Sequence, residues 1–170
     1  MRLTDIQAVI ASAKTRGMDP LERYVRGRLP EATEAEVREA AEVAVEIIES
    51  VPVFLARADQ EADSRALGPV VGPILEHAER YFLEPVDLIP EMTYGLMGLL
   101  DDSYLVLRIL QNLDRGPQPF LDWNLDHPLA FLRRLVGEDV ARQLDQSSLD
   151  AMHDLTTDVT RFWHEVSHEA

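Results

Sequence analysis

The stretch Thr33-Glu34-Ala35-Glu36-Val37-Arg38-Glu39-Ala40-Ala41-Glu42-Val43-Ala44-Val45-Glu46-Ile47-Ile48 decides the fold class. Thr33 with Glu36 three residues on forms a capping box, in which a hydroxyl accepts from the open first-turn amides and a carboxylate reaches back. Behind it Val37, Ala40, Ala41, Ala44, Val45 and Ile48 keep one side of a helix apolar over three turns. Pro52 is expected to kink or break this helix, with Val53-Phe54-Leu55 continuing it for another turn or two.

The same periodicity recurs on both sides. Thr4 with Gln7 reads as a second capping box ahead of Ile6, Val9, Ile10 and Ala13, and Gly17 as a stop. Asp19-Pro20 restarts a short helix, since Asp accepts from first-turn amides and Pro fits the first helical position; Leu29-Pro30 ends it. Glu61–Arg65 is polar and reads as a loop. Pro69 and Pro73 lead into a helix ending near Leu83, with Ile74, Ala78, Tyr81 and Phe82 facing inward. Glu84–Gly98 reads as an irregular connection. From Asp101 to Leu113 the chain is apolar nearly all round, the signature of a central buried helix. Asp126 and Pro128 open a further helix that stops at Gly137, and a short segment with Val140 and Leu144 follows. Ser147 and Asp150 then read as the start of the last helix, with Leu149, Met152, Leu155, Val159, Phe162 and Val166 on its core side. No stretch alternates apolar and polar residues. The expectation is one all-α domain over residues 1–170, a bundle of about six to eight helices with no sheet.

Charge narrows the function. Sixteen Lys and Arg against 31 Asp and Glu leave a net charge of −15. A nucleic-acid binder needs the opposite sign, and so does a protein that docks on anionic lipid. The chain has no Cys, which removes disulfides, thiolate zinc sites and a cysteine nucleophile. The longest uncharged stretch, Ala66–Leu75, holds two Pro and two Gly and is too short to span a membrane. An acid at Asp5 precedes any apolar run, so no signal peptide is expected and the cytoplasm is the expected compartment.

Residues 81–110 carry Pro85, the run Asp87-Leu88-Ile89-Pro90, the acid Glu91, then Gly98 and the pair Asp101-Asp102. In that order and spacing they resemble the YkvA-like domain, a short helical module common in bacteria. The resemblance implies a fold element, not a reaction. Read from the residues alone, Pro85 and Pro90 each deny the chain an amide donor, and Asp87 can hold the turn between them. Asp101 and Asp102 are expected to cap the buried helix and meet the positive end of its dipole. Arg108, seven residues after Asp101 on the same face, needs a carboxylate if buried, and Asp101, Asp87 and Glu91 are the candidates. The same four acids, Asp87, Glu91, Asp101 and Asp102, could instead gather around Mg²⁺ or Ca²⁺.

His164-Glu165-Val166-Ser167-His168 matches H-E-x-x-H, the zinc-peptidase pattern of two ligands one turn apart with a general base between them. Only two residues follow His168, no strand is expected to hold a substrate, and Arg161 is a ready partner for Glu165. A solvated face accounts for the match. His77 and His127 read as structural, and Gly95 with Gly98 lack the Lys and the strand of a phosphate loop. The Glu run at 31, 34, 36, 39, 42, 46 and 49, answered in sequence by Arg38, reads as a solvated face or as a docking surface for a basic partner. The expected function is that of a non-enzymatic acidic helical protein with no cofactor or resident metal. It would act through a basic protein partner or through self-association. The alternative is a metal-dependent hydrolase using the four acids or the terminal His pair.

Overall fold

A computed structural model describes residues 2–84, 95–114, 121 and 124–168, with side chains described as far as residue 153. Among the described residues the chain is all-α, with seven packed helices and no strand. They are α1 (Leu3–Lys14), α2 (Asp19–Arg28), α3 (Glu34–Ser64), α4 (Gly68–Leu83), α5 (Gly98–Leu113), α6 (Asp126–Val136) and α7 (Glu138–His168). A 3-10 turn at Gly95–Met97 leads into α5.

α3 begins as its sequence dictates, with the Thr33 hydroxyl accepting from the Glu36 amide at 3.2 Å. It does not break at Pro52. The helix runs through that residue and through the polar segment read as a loop, ending at Ser64. Its buried positions explain why: Val37, Ala41, Ala44, Ile48, Val51, Leu55, Ala58 and Ala62 advance by four and three residues without a slip. An interior proline costs about 3 kcal/mol. Burying each of Ile48, Val51 and Leu55 returns about 1.5–3 kcal/mol, so the unbroken stripe outweighs it. The helix stops one turn later than the polar residues suggested. Ala66 takes φ +58°, and the Leu67 amide reaches back to the Ala62 carbonyl at 2.8 Å.

α5 is the centre. Leu99, Leu100, Tyr104 to Leu107, Ile109 and Leu110 are buried on every side of it, and α3, α4, α6 and α7 all pack against it. It starts at Gly98, with Met97 at its N-cap and no side-chain cap. Asp101 and Asp102 therefore do not cap it; they lie inside the helix, Asp101 in the first turn near the positive dipole end.

Two other starts also differ from the sequence reading. α1 begins at Leu3, one residue before Thr4, so Thr4 and Gln7 form no capping box. Glu79 of α4, buried, accepts the Arg2 amide at 2.8 Å and supplies the missing acceptor from outside the helix. α2 has Asp19 as its first helical residue rather than as its cap.

α7 is a single helix from Glu138 on, where a short segment and a separate last helix were expected. Ala141, Leu144, Ser148 and Ala151 form its buried stripe, which places Leu149 on the outside, 48% exposed, instead of in the core. Ser147 is no cap: its hydroxyl donates to the Gln143 carbonyl within the helix at 3.0 Å. The turn from α6 to α7 needs Gly137, whose φ is +92° and whose missing Cβ would lie 2.0 Å from Arg28 Nη2.

Candidate functional site

Three helices converge on Asp145 of α7. Its Oδ1 accepts from the Tyr104 hydroxyl at 2.7 Å and from Arg108 Nε at 2.9 Å, and its Oδ2 from Arg133 Nη1 at 2.8 Å. Arg133 Nη1 also donates to the Tyr104 oxygen at 2.9 Å. On its other edge Arg133 grips both oxygens of Glu138, at 2.9 and 2.6 Å. Arg108 reaches Gln111 as well, which passes the chain of bonds to Asp126 at the start of α6, at 2.6 Å. The described partner of Arg108 is thus Asp145 rather than Asp101, while the other two candidates, Asp87 and Glu91, lie outside the described residues.

The electrostatics are those of a closed account. Burial alone would raise the Asp145 pKa, but the bonds from Tyr104, Arg133 and Arg108 outweigh it and hold the carboxyl below its ordinary value. Burial, then the Asp145 carboxylate, pushes the Tyr104 hydroxyl up to about 12. Both oxygens of Asp145 accept from donors on α5 or α6, so the cluster is a clasp joining α5, α6 and α7.

The outer face of α3 is the opposite case. Glu34 is taken by Arg26 through two bonds of 2.8 Å, and Glu49 by Lys14 at 2.9 Å, so the acid run is answered by more than Arg38. Glu36, Glu39, Glu42 and Glu46 are exposed, and among the described residues none has a cation within ion-pair distance. Consecutive members are three or four residues apart, which stacks like charges on one side of the helix.

Beside this face lies a groove of about 730 Å³ between α3, the α2–α3 connection and α6. Its apolar lining comes from Leu29, Pro30, Ala32, Ala40, Val43 and Phe131. Glu31, Glu36 and Glu39 supply acid from the α3 side, while Arg28 and Arg134 supply cations from the end of α2 and from α6. Arg28 is fixed there by donating to the Leu135 carbonyl at 2.9 Å, a bond that also closes the C-terminal end of α6. Tyr24 shares that carbonyl at 2.7 Å. The acidic side of the groove was legible in the sequence; the groove was not, because its walls come from residues 28–43 and 131–134, far apart in the chain.

Among the motif residues, Pro85, Asp87, Pro90 and Glu91 lie outside the described residues, as do the side chains of His164, Glu165 and His168. Gly98 opens α5, and the Asp101 carboxylate accepts the Asp102 amide at 3.0 Å. Both aspartates are buried. No group of three or more His, Asp or Glu among the described residues is arranged to hold a metal ion. His77 packs edge-on against Tyr81 at 4.9 Å, and His127 is exposed. Among the described residues no helix is long and apolar enough to cross a membrane.

No protein-family model, curated protein or solved structure matches this chain.

Proposed function

We propose that this chain is a non-enzymatic acidic helical protein that works by binding a basic protein partner, and that the outer face of α3 is the recognition surface. The observation that carries the reading is the row Glu36, Glu39, Glu42 and Glu46, exposed and without an ion-pair partner among the described residues. A protein that needed these charges only for solubility could scatter them. Stacked on one helix face they repel each other, and a cation supplied from outside relieves that repulsion. The net charge of −15 steers basic proteins toward the chain over a longer range. The acidity and the absence of Cys support a cytoplasmic setting. What residues 81–110 share with the YkvA-like module would supply a packed helical element and implies no particular reaction.

The test is comparative capture from a lysate of the native host at low salt. The wild-type chain and the variant Glu36→Gln/Glu39→Gln/Glu42→Gln/Glu46→Gln are immobilised in equal folded amounts. The reading predicts basic proteins retained by the first and lost by the second, with retention falling steeply as salt rises. Identical retention by both chains would refute it.

A further inference from the structure

We infer that the groove between α3 and α6 receives an amphipathic helix of the partner whose flanking charges are split by side, basic along one edge and acidic along the other. The inference rests on the reading of α3 as the recognition surface and specifies what that surface takes. Its ground is the distribution of charge around the groove. Glu36 and Glu39 stand on the α3 side, and Arg134 stands on the α6 side with no carboxylate in ion-pair range among the described residues. The apolar contacts between them, Ala40 and Val43 of α3 and Phe131 of α6, are all partly exposed. On α3 the lining residues Glu36, Glu39, Ala40 and Val43 follow i, i+3, i+4, i+7, so the wall is one continuous helical stripe. A groove of this kind is the receiving half of helix-in-groove recognition, in which apolar anchors enter the floor and flanking charges meet the rims.

A uniformly basic helix would satisfy Glu36 and Glu39 but press cations against Arg134 and Arg28. A helix with Lys on one flank and Glu on the other meets both rims. Turning such a helix end for end exchanges its flanks, so a helix with Lys on either side has one chain direction in which Lys meets the α3 rim and Glu the α6 rim.

The probes are labelled, end-capped peptides of about 18 residues, long enough to sustain a helix. All carry Leu along one face. The first has Lys on one flank and Glu on the other, the second has the same composition with Lys and Glu alternating on both flanks, and the third has Lys on both. Binding to the full chain is read by fluorescence anisotropy at low salt. The segregated peptide is expected to bind at least about tenfold more tightly than the alternating one, a difference of about 1.4 kcal/mol. Arg134→Glu should remove that preference, and Val43→Asp should weaken binding of the segregated peptide at least about tenfold, with helix content checked by circular dichroism. Glu46→Gln, off the groove lining, should change it by less than about twofold. Equal affinity for the first two peptides, no binding by either, or indifference to Arg134→Glu overturns the inference. Tightest binding by the peptide with Lys on both flanks also overturns it, while leaving the reading of a basic partner standing. That reading fails separately, when the four-Gln variant retains the same host proteins as the wild type.

Discussion

Asp145 and the four glutamates on α3 carry the same functional group in opposite settings. Asp145 lies among three helices and accepts from Tyr104, Arg108 and Arg133. Glu36, Glu39, Glu42 and Glu46 stand in water with no cation of their own chain in reach among the described residues. A carboxylate taken from water needs several donors to offset its lost hydration, so Asp145 is held by the fold and in turn holds it. An exposed carboxylate needs nothing from the fold and contributes almost nothing to it. What it offers is charge to another molecule. The difference teaches where to look for function in an acidic protein: among the acids whose partners the chain does not supply.

The largest effect is expected where the clasp is cut. Asp145→Ala takes the shared carboxylate from Arg108 and Arg133, whose side chains are 18% and 32% exposed, leaving Arg108 with Gln111 and Arg133 with Glu138, and it leaves the buried Tyr104 hydroxyl without its acceptor. Removing one partner of a fully buried ion pair costs about 3–5 kcal/mol. Partial exposure of the two arginines discounts this to about 2–4 kcal/mol, a fall in melting temperature of roughly 5–15 °C for a chain of this length. A melting temperature unchanged by Asp145→Ala would mean that the clasp contributes nothing.

pH gives the next effect, and its sign differs at the two ends of the scale. Asp145 is held below its ordinary value, so the stability it confers is present above about pH 4 and is lost as the pH falls further. Tyr104 is pushed up to about 12, so its contribution is complete below about pH 10 and disappears between there and pH 12. Tyr104→Phe should cost about 1 kcal/mol at neutral pH through the lost hydrogen bonds. It should also flatten the alkaline fall, so that wild type and variant converge above pH 10. Parallel melting curves for the two across that range would place the Tyr104 hydroxyl outside the clasp.

The clasp and the α3 face were not equally legible in the sequence. Helix capping at Thr33 and the all-round apolarity of α5 are local, and both hold in the structure. Pro52 and the polar segment Glu61–Arg65 misled because local propensity argues for a break there. The register that overrules it, Ile48, Val51, Leu55, Ala58 and Ala62, becomes visible only when the stripe is followed past the proline. The same kind of error hid Asp145. Reading α7 as a short segment plus a new start at Ser147 removed the stripe of Ala141, Leu144, Ser148 and Ala151, which fixes the side of the helix that faces α5. Without that register, nothing in the sequence joins Arg108 to an acid 37 residues away. The acid row on α3 needs no partner to be recognised, and so it could be read from spacing alone.

The smallest effect on stability belongs to the four-Gln variant of α3. Each exposed substitution should shift stability by less than about 0.5 kcal/mol, and removing like charges three and four residues apart offsets part of any loss. Gln at position 36 also keeps the backbone amide that donates to the Thr33 hydroxyl. Thermal unfolding of this variant beside Asp145→Ala, at neutral pH and equal salt, is the most direct test of the division between acids that hold the fold and acids left free of it. The account predicts a melting temperature within about 2 °C of wild type, or slightly above it, for the four-Gln protein, against a fall of roughly 5–15 °C for the single substitution at Asp145. Comparable losses in both proteins would contradict it.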